Sequence, residues 1–151
     1  MIDTSNNTII TTNALLYKIE NGVLYFLLAQ ENDDNWGLPG GAKEVEDIDL
    51  LHTIQRELKE ELVLEPDGYT LKDTDVKREF EYNHFQSSRF GKHGIVRFFL
   101  VRLKEKIQPK VSSELKNIAW FTKDEVAEKL TFDHIKDGFV EASDLLKIPL
   151  L

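Results

Sequence analysis

The sequence predicts an α/β (α+β) protein in which a mixed β-sheet packs between α-helices. Segments rich in β-branched and apolar residues, which favour strands, occur near the start and in the middle of the chain. Between and after them, apolar residues recur at spacings of three and four, as on one face of an amphipathic helix. Strands and helices therefore alternate, and no linker divides the chain. We expect a single domain over residues 1–151.

The first two strands are predicted at residues 8–18 and 23–30, with the hairpin dipeptide Asn21-Gly22 between them. The second strand is apolar enough to be buried on both faces. The residues that follow, 31–41, are rich in Asn, Asp, Gly and Pro, which predicts a loop.

A central helix is predicted from about Asp47 to Leu62, where the hydrophobic period changes. Asp47 and Asp49 suit its start, as cap or first-turn acids. The apolar positions expected to face the core are Ile48, Leu51, Ile54, Leu58 and Leu62.

The second half of the chain continues the alternation. The predicted elements are a turn at 65–68, strands at 76–85, 95–103 and 118–122, a polar loop at 86–94, and a short helix at 123–130. A last helix presents the apolar positions Phe132, Ile135, Phe139, Ala142 and Leu145.

Composition narrows the functional classes. The chain is 41% hydrophobic and 30% charged, as in an ordinary globular protein, and it contains no cysteine for disulfides or thiolate metal sites. Its formal net charge of −8 disfavours a nucleic acid or anionic membrane held by bulk charge. No apolar run approaches the length of a membrane span, and residues 1–8 lack the pattern of a signal peptide. We therefore expect a cytoplasmic protein.

Three carboxylates of the central helix suggest a metal site. Glu57, Glu60 and Glu61 stand at i, i+3 and i+4, within an arc of roughly 100°. Like charges so close repel one another unless a cation lies between them. Oxygen ligands without cysteine or paired histidines suit Mg²⁺ or Mn²⁺. The alternative is a solvated helix face rich in Glu and Lys.

A glycine turn directly before this helix strengthens the metal hypothesis. Pro39-Gly40-Gly41 allows a backbone carbonyl or amide to approach a ligand closely. Arg56 lies at i, i+4 from Glu60, where a salt bridge can hold the glutamate. The combination predicts metal-assisted attack of water on a phosphate ester or anhydride.

These residues resemble the Nudix hydrolase family, whose signature is G-x5-E-x7-R-E-U-x-E-E-x-G-U, with U apolar. Residues 56–61 match R-E-U-x-E-E, and Gly41 is followed after five residues by Asp47 in place of the family glutamate. Eight residues rather than seven separate Asp47 from Arg56, and Val63 replaces the closing glycine. Since a β-branched residue is poor in the left-handed conformation, we expect the helix to end differently.

The resemblance implies a Nudix-type mixed sheet sandwiched between helices and a pyrophosphohydrolase that depends on Mg²⁺ (or Mn²⁺). Its substrate would be a nucleoside diphosphate linked to another moiety. The metal ligands implied are Glu57, Glu60, Glu61 and, through its carbonyl, Gly40. Arg56 would fix the glutamates, and Glu114 would contact metal or water. Glu57 could instead be the base that orients water, so the base stays open between Glu57, Glu114 and another residue.

Other stretches resemble the diadenosine tetraphosphate hydrolases: residues 36–39, 77–82, 113–114 with 119–121, and the closing helix. The similarity implies diadenosine tetraphosphate as the leading substrate, with ATP and AMP as products, and Tyr82 stacked on an adenine. Gly40 stands where that subfamily has a lysine. The residues that could supply the missing charge are Arg89, Lys92, His93 and Arg97, unless their loop is only a solvated hairpin tip.

Several alternatives remain open at this point. Within the family they are a nucleoside triphosphate pyrophosphatase, a nucleotide-sugar pyrophosphatase and an enzyme acting on RNA 5′ ends. From another class comes a catalytically weak nucleotide-binding sensor domain, supported by Val63 and by the inserted residue. The expected partner is a nucleotide, with no membrane and no nucleic acid except an RNA 5′ end. The chain would act as a monomer or homodimer.

Overall fold

A computed structural model of the protein describes residues 8–31, 34–83 and 88–146. The strands are β1 (Thr8–Glu20), β2 (Val23–Gln30), β3 (Trp36–Gly37), β4 (Gly40–Ala42), β5 (Tyr69–Glu81), β6 (His93–Leu103) and β7 (Asn117–Phe121). The helices are α1 (Leu50–Leu62), α2 (Lys123–Lys129) and α3 (Asp133–Ser143), with a short 3-10 helix at Pro66–Gly68.

The strands in these ranges form one mixed sheet. Its order is β3-β2-β1-β6-β5, while β4 pairs with β1 and β7 pairs with β2. β1 and β6 run parallel, and the other pairs are antiparallel. One face packs on α1 and the other on α2 and α3, each over a separate apolar core. The predicted mixed sheet between helices is confirmed.

The first hairpin forms as its turn residues predict. Asn21 and Gly22 both have left-handed backbone conformations, with φ of 53° and 78°, and they join β1 to β2. The segment predicted as a loop at 31–41 contains β3 and β4 instead. Strands of two and three residues are too short to leave a hydrophobic period, so the sequence pattern conceals them.

β5 begins earlier than predicted, at Tyr69 rather than residue 76. Its pairing with β6 shifts register between Asp73 and Lys77, and this irregularity interrupts the alternation of side chains. His93 and Gly94, predicted in the loop, belong to β6. The predicted end of the strand at 84–85 and the loop residues 86–87 lie outside the described residues.

Helix α1 begins at Leu50, three residues later than predicted. Asp49 is the N-cap, because its carboxylate accepts a hydrogen bond from the amide of His52 at 2.9 Å. Ile48, expected to face the core, precedes the helix and is 88% exposed, and Leu51 is also exposed. The side chains that α1 buries are Thr53, Ile54, Leu58, Glu61 and Leu62.

The end of α1 contradicts the expectation for Val63. Val63 adopts the left-handed conformation, with φ 57° and ψ 39°, although it is β-branched. The amide of Leu64 reaches the carbonyl of Leu58 at 3.2 Å, and both side chains are buried in the core. Burial of Leu64 therefore sets the backbone direction, and Val63, 55% exposed, adopts the strained geometry that results.

The last helix is predicted correctly in position but not at its ends. α3 buries Gly138, Phe139, Ala142 and Ser143, whereas Phe132 is its N-cap residue and is 61% exposed. Leu145 follows the helix and is also exposed. None of the helices in the described ranges is long and apolar enough to span a membrane.

Candidate active site

The glycine turn before α1 is fixed on β1. The amide of Ala14 donates to the carbonyl of Pro39 at 2.7 Å, and the hydroxyl of Thr12 donates to the carbonyl of Gly41 at 3.2 Å. Gly40 has φ of 149°, and a Cβ there would overlap the carbonyl of Thr12. Glycine is thus required at position 40 for β4 to lie this close to β1.

The same turn receives two carboxylates of α1. The amide of Gly40 donates to Oε1 of Glu61 at 2.9 Å. At Gly41, a Cβ would overlap the carboxylate of Glu57. The glycine pair therefore lets both side chains reach the backbone, and Glu61 is only 6% exposed. This contact places the predicted turn and the predicted carboxylates in one site.

The carboxylates of this site are crowded. Burial raises the pKa of Glu57 to about 7, and the nearby charges of Glu60 and Glu114 add to that effect against the opposing charge of Arg56. Burial likewise raises the pKa of Glu61 to about 8, helped by the charges of Glu57, Glu31 and Glu114. Acidic groups from α1, from the end of β2 and from the segment before β7 therefore converge here.

Arg56 is the centre of a second set of contacts. Its guanidinium donates to Asp47 through Nε at 3.1 Å and Nη2 at 2.9 Å, and to the carbonyl of Ala42 at 3.0 Å. Nη1 donates to Glu57 at 3.0 Å and to Glu60 at 3.3 Å, which is the predicted salt bridge. The arginine thus ties the loop before α1 to two of the three glutamates.

The donor set suits a hard divalent cation. All the convergent groups are oxygens, and two of the carboxylates are buried beside others of like charge, an arrangement that a cation would stabilise. In the arrangement seen in the described ranges, no three acidic or histidine side chains come together closely enough to hold an ion. Arg56 and the amide of Gly40 hold these carboxylates instead, so binding a cation requires side-chain rotation.

A cleft of about 200 Å³ opens beside Glu61. Glu61 and Glu31 line one part of it, and Trp36, Phe132 and Ile135 line another. Among the described residues, no lysine or arginine lines this cleft. A phosphorylated ligand would therefore need charge neutralisation from a cation or from residues that move toward it.

The four residues predicted to bind substrate lie along the β5–β6 hairpin. Arg89 donates to the hydroxyl of Tyr82 at 3.2 Å, and the amide of Tyr82 donates to the carbonyl of Lys92 at 2.9 Å. His93 is held between Glu81 and Glu79, at 2.9 and 3.0 Å. None of these four is among the described residues that line the cleft.

Arg97, also expected to offer charge, is engaged elsewhere. It donates to both carboxylate oxygens of Asp73, at 2.8 and 2.7 Å. The charge of Arg97, which was expected to replace the missing lysine at position 40, is thus partly neutralised by Asp73 on the β5–β6 surface.

Glu31 was not identified from the sequence, and Asp47 was matched to the family signature without its contact to Arg56 being predicted. Glu31 directly follows β2, and its position at a strand end next to the glycine turn could have indicated it. Asp47 was expected at the helix start, but it is 3% exposed and binds Arg56. The signal for Asp47 was its spacing from Gly41, which places it where the Nudix signature has an acid.

The match to a known family agrees with this geometry. The NUDIX domain model matches residues 9–142. The chain therefore belongs to the NUDIX domain family. The predicted class, a Nudix pyrophosphohydrolase, is supported by this membership. Comparison with curated protein sequences gives no significant match.

Solved structures share the fold at low sequence identity. A C. elegans Ap4A hydrolase binary complex is 20% identical, with a TM-score of 0.76 over 91% of this chain and 96% of that chain. The E. coli dihydroneopterin triphosphate pyrophosphohydrolase is 20% identical, with a TM-score of 0.74 over 87% and 92%. The NUDIX domain of Shewanella oneidensis NrtR, complexed with ADP ribose, is 19% identical, with a TM-score of 0.70 over 92% and 89%.

Proposed function

We propose that the protein is a hydrolase, dependent on Mg²⁺ (or Mn²⁺), that cleaves a phosphoanhydride bond in a nucleoside diphosphate linked to another moiety. The observation that carries the proposal is the packing of Glu57 and Glu61 against the glycine turn, among other carboxylates. Buried carboxylates that repel one another are costly without a cation. Glu61 also lines the cleft, together with Glu31, which indicates a site rather than a solvated helix face.

The residues proposed to hold the cation are Glu57, Glu60, Glu61 and the carbonyl of Gly40. A bound divalent cation would neutralise phosphate charge and activate water for attack on phosphorus. Arg56 would position Glu57 and Glu60, which it already contacts. Glu57 could instead accept a proton from the attacking water, and Glu114, whose charge acts on Glu57, is the alternative base.

The first candidate substrate is diadenosine tetraphosphate, cleaved to ATP and AMP. Its support comes from the stretches that resemble the diadenosine tetraphosphate hydrolases, while the C. elegans structure supports the fold alone. The aromatic walls of the cleft, Trp36 and Phe132, could take a base, and Tyr82 would need to reach it from the hairpin. Nucleoside triphosphates, nucleotide sugars and RNA 5′ ends are the alternative substrates.

The proposal is tested by the product spectrum of the purified protein with Mg²⁺. Diadenosine tetraphosphate, ADP-ribose and nucleoside triphosphates are offered separately, and products are resolved by anion exchange. ATP plus AMP from the dinucleotide, with little turnover of the others, would support the full proposal. Preferred cleavage of another substrate would still support a hydrolase but would rule out diadenosine tetraphosphate as its main substrate. Binding without turnover of any would favour a sensor domain.

The metal site is tested by Glu57→Gln and Glu60→Gln, with Glu128→Gln on the exposed side of α2 as the control. Turnover should fall at least about tenfold in the two site variants and stay unchanged in the control. Addition of Mn²⁺ should raise the melting temperature of the wild-type protein and raise it less in Glu57→Gln. Full activity in both site variants would mean that these carboxylates do not bind the metal.

A further inference from the structure

A second groove lies beside β7 and shares no lining residue with the carboxylate cleft. Its volume is about 720 Å³, and four basic residues line it at the end of β1 and at the end of β6 and just after it. These are Lys18, Arg102, Lys104 and Lys106, and the acids that line the same groove are Glu20 and Glu105. The groove is therefore locally positive in a chain whose net charge is −8.

Three of the four cations have no direct ion-pair partner among the described residues, although Glu105 also lines the groove. Lys18 pairs with Glu20 at 3.0 Å. Arg102, Lys104 and Lys106 form no ion pair with any residue in the described ranges, whereas Arg56, at the carboxylate site, binds several acids there. These three groove cations are exposed and their mutual repulsion is screened by water and salt, but an anion bound among them would remove it. Their convergence on one concave surface indicates an anionic ligand.

The groove is held in shape by backbone contacts and by an aromatic wall. The amide of Lys104 donates to the carbonyl of Gly68 at 3.0 Å, and Lys106 takes a left-handed conformation with φ of 68°. Nζ of Lys18 lies 4.4 Å from the centre of the Trp120 ring, a cation–π contact that orients both side chains. These contacts fix the backbone at Lys104 and the side chain of Lys18, at the end of the sheet where β1 and β6 finish.

We propose that this groove binds a polyphosphate chain, independently of the carboxylate cleft. Lysine is a common phosphate ligand because its compact ammonium group acts as a point charge, and arginine can bind phosphate oxygens in pairs. Several cations with few neutralising acids match a chain of several phosphates better than a single carboxylate or phosphate. The polyphosphate could be inorganic or could be the phosphate chain of a nucleotide.

The two tryptophans of the protein allow ligand binding at the groove to be distinguished from binding at the carboxylate cleft by fluorescence. Trp36 lines the carboxylate cleft and Trp120 lines the groove. In a Trp36→Phe variant, Trp120 is the only remaining tryptophan and reports on the groove alone. Titration in EDTA removes divalent cations, on which the carboxylate site would depend. Tripolyphosphate, ATP and AMP are the probes.

The expected result is a saturable change in Trp120 fluorescence with tripolyphosphate and with ATP, weaker with AMP, and reduced by added salt. Equal affinities for tripolyphosphate and ATP would identify the phosphate chain as the ligand, and tighter binding of ATP would identify a nucleotide. A Lys104→Ala/Lys106→Ala double variant should bind at least about tenfold more weakly.

The matched control is Lys72→Ala/Lys77→Ala, which removes the same charge from exposed positions of β5. Binding should be unchanged in that variant, and melting temperatures establish that all variants fold. The proposal is overturned if neither polyphosphate changes the fluorescence of Trp120. It is equally overturned if the control pair weakens binding as much as the groove pair, because bulk charge would then explain the effect.

Discussion

The carboxylate of Asp47 accepts two hydrogen bonds from Arg56, from Nε at 3.1 Å and from Nη2 at 2.9 Å. The arginine holds the pKa of Asp47 well below its usual range, and hydrogen bonds from Glu44 and Thr53 act in the same direction. The pair connects the loop that follows the glycine turn to the helix that carries the glutamates. Its integrity should therefore matter for stability and for activity together.

Asp47→Asn should destabilise the protein by about 1.5–3 kcal/mol, because Arg56 loses a charge-assisted hydrogen-bond partner while Glu57 and Glu60 still offset its charge. Urea denaturation measures the effect. The control is Glu65→Gln, which breaks the exposed pair with Lys59 at 3.5 Å and should cost less than about 1 kcal/mol. Similar losses in the two variants would contradict a special role for the Asp47–Arg56 pair.

Val63→Gly should stabilise the protein by about 1 kcal/mol, because glycine adopts the left-handed conformation without the strain of a β-branched side chain. Few packing contacts are lost, since Val63 is largely exposed. Asn21→Gly is the control: its φ of 53° is also left-handed, but asparagine tolerates it, so the gain should be smaller. A lower denaturation midpoint for Val63→Gly would show that its side chain contributes contacts that outweigh the strain.

Gly41→Ala should lower turnover with little loss of stability. The added methyl group would displace the end of the flexible Glu57 side chain rather than the backbone. Gly40→Ala should instead destabilise the fold, because it meets the carbonyl of Thr12 at a positive φ. If Gly41→Ala is as active as the wild-type protein, the observed position of the Glu57 side chain is not needed for catalysis.

Without divalent cations, stability should fall as pH rises from about 4.5 toward 8. The folded-state pKa of Glu57 is raised to about 7 and that of Glu61 to about 8, from 4.5. Folding therefore favours their protonated forms, and their contribution to stability is lost as pH rises through these values. His134 acts in the opposite direction, because burial lowers its pKa and stability is gained as it deprotonates.

Urea denaturation in EDTA at pH about 5.5 and about 8.5 measures the net effect. Glu61→Gln separates the contributions, since it removes one raised pKa and leaves His134 unchanged. Its stability should depend less on pH than that of the wild-type protein, and Mg²⁺ should stabilise the wild-type protein most at the higher pH. An unchanged pH dependence in Glu61→Gln would mean that Glu61 is not held in an environment that favours its protonated form.

The elements of the fold with a strong local signal were predicted from the sequence. The first hairpin follows from Asn21-Gly22 between two apolar runs, and α1 follows from its period and the cap at Asp49. β3 and β4 were missed, because pairs and triplets of residues become strands only through the neighbours that pair with them. The start of β5 was missed for a related reason, its register shift against β6.

For the site, the sequence by itself determined the glycine turn, the glutamates that follow it and the family to which the chain belongs. Those features are local, since the backbone freedom of glycine and the helical spacing of Glu57, Glu60 and Glu61 can be read from neighbouring positions. Only the tertiary structure decided that Glu31 joins them, that Ile48 is exposed and that Val63 is left-handed. Burial, charge proximity and backbone strain depend on segments distant in the chain, and their free energies are fixed only when those segments pack together.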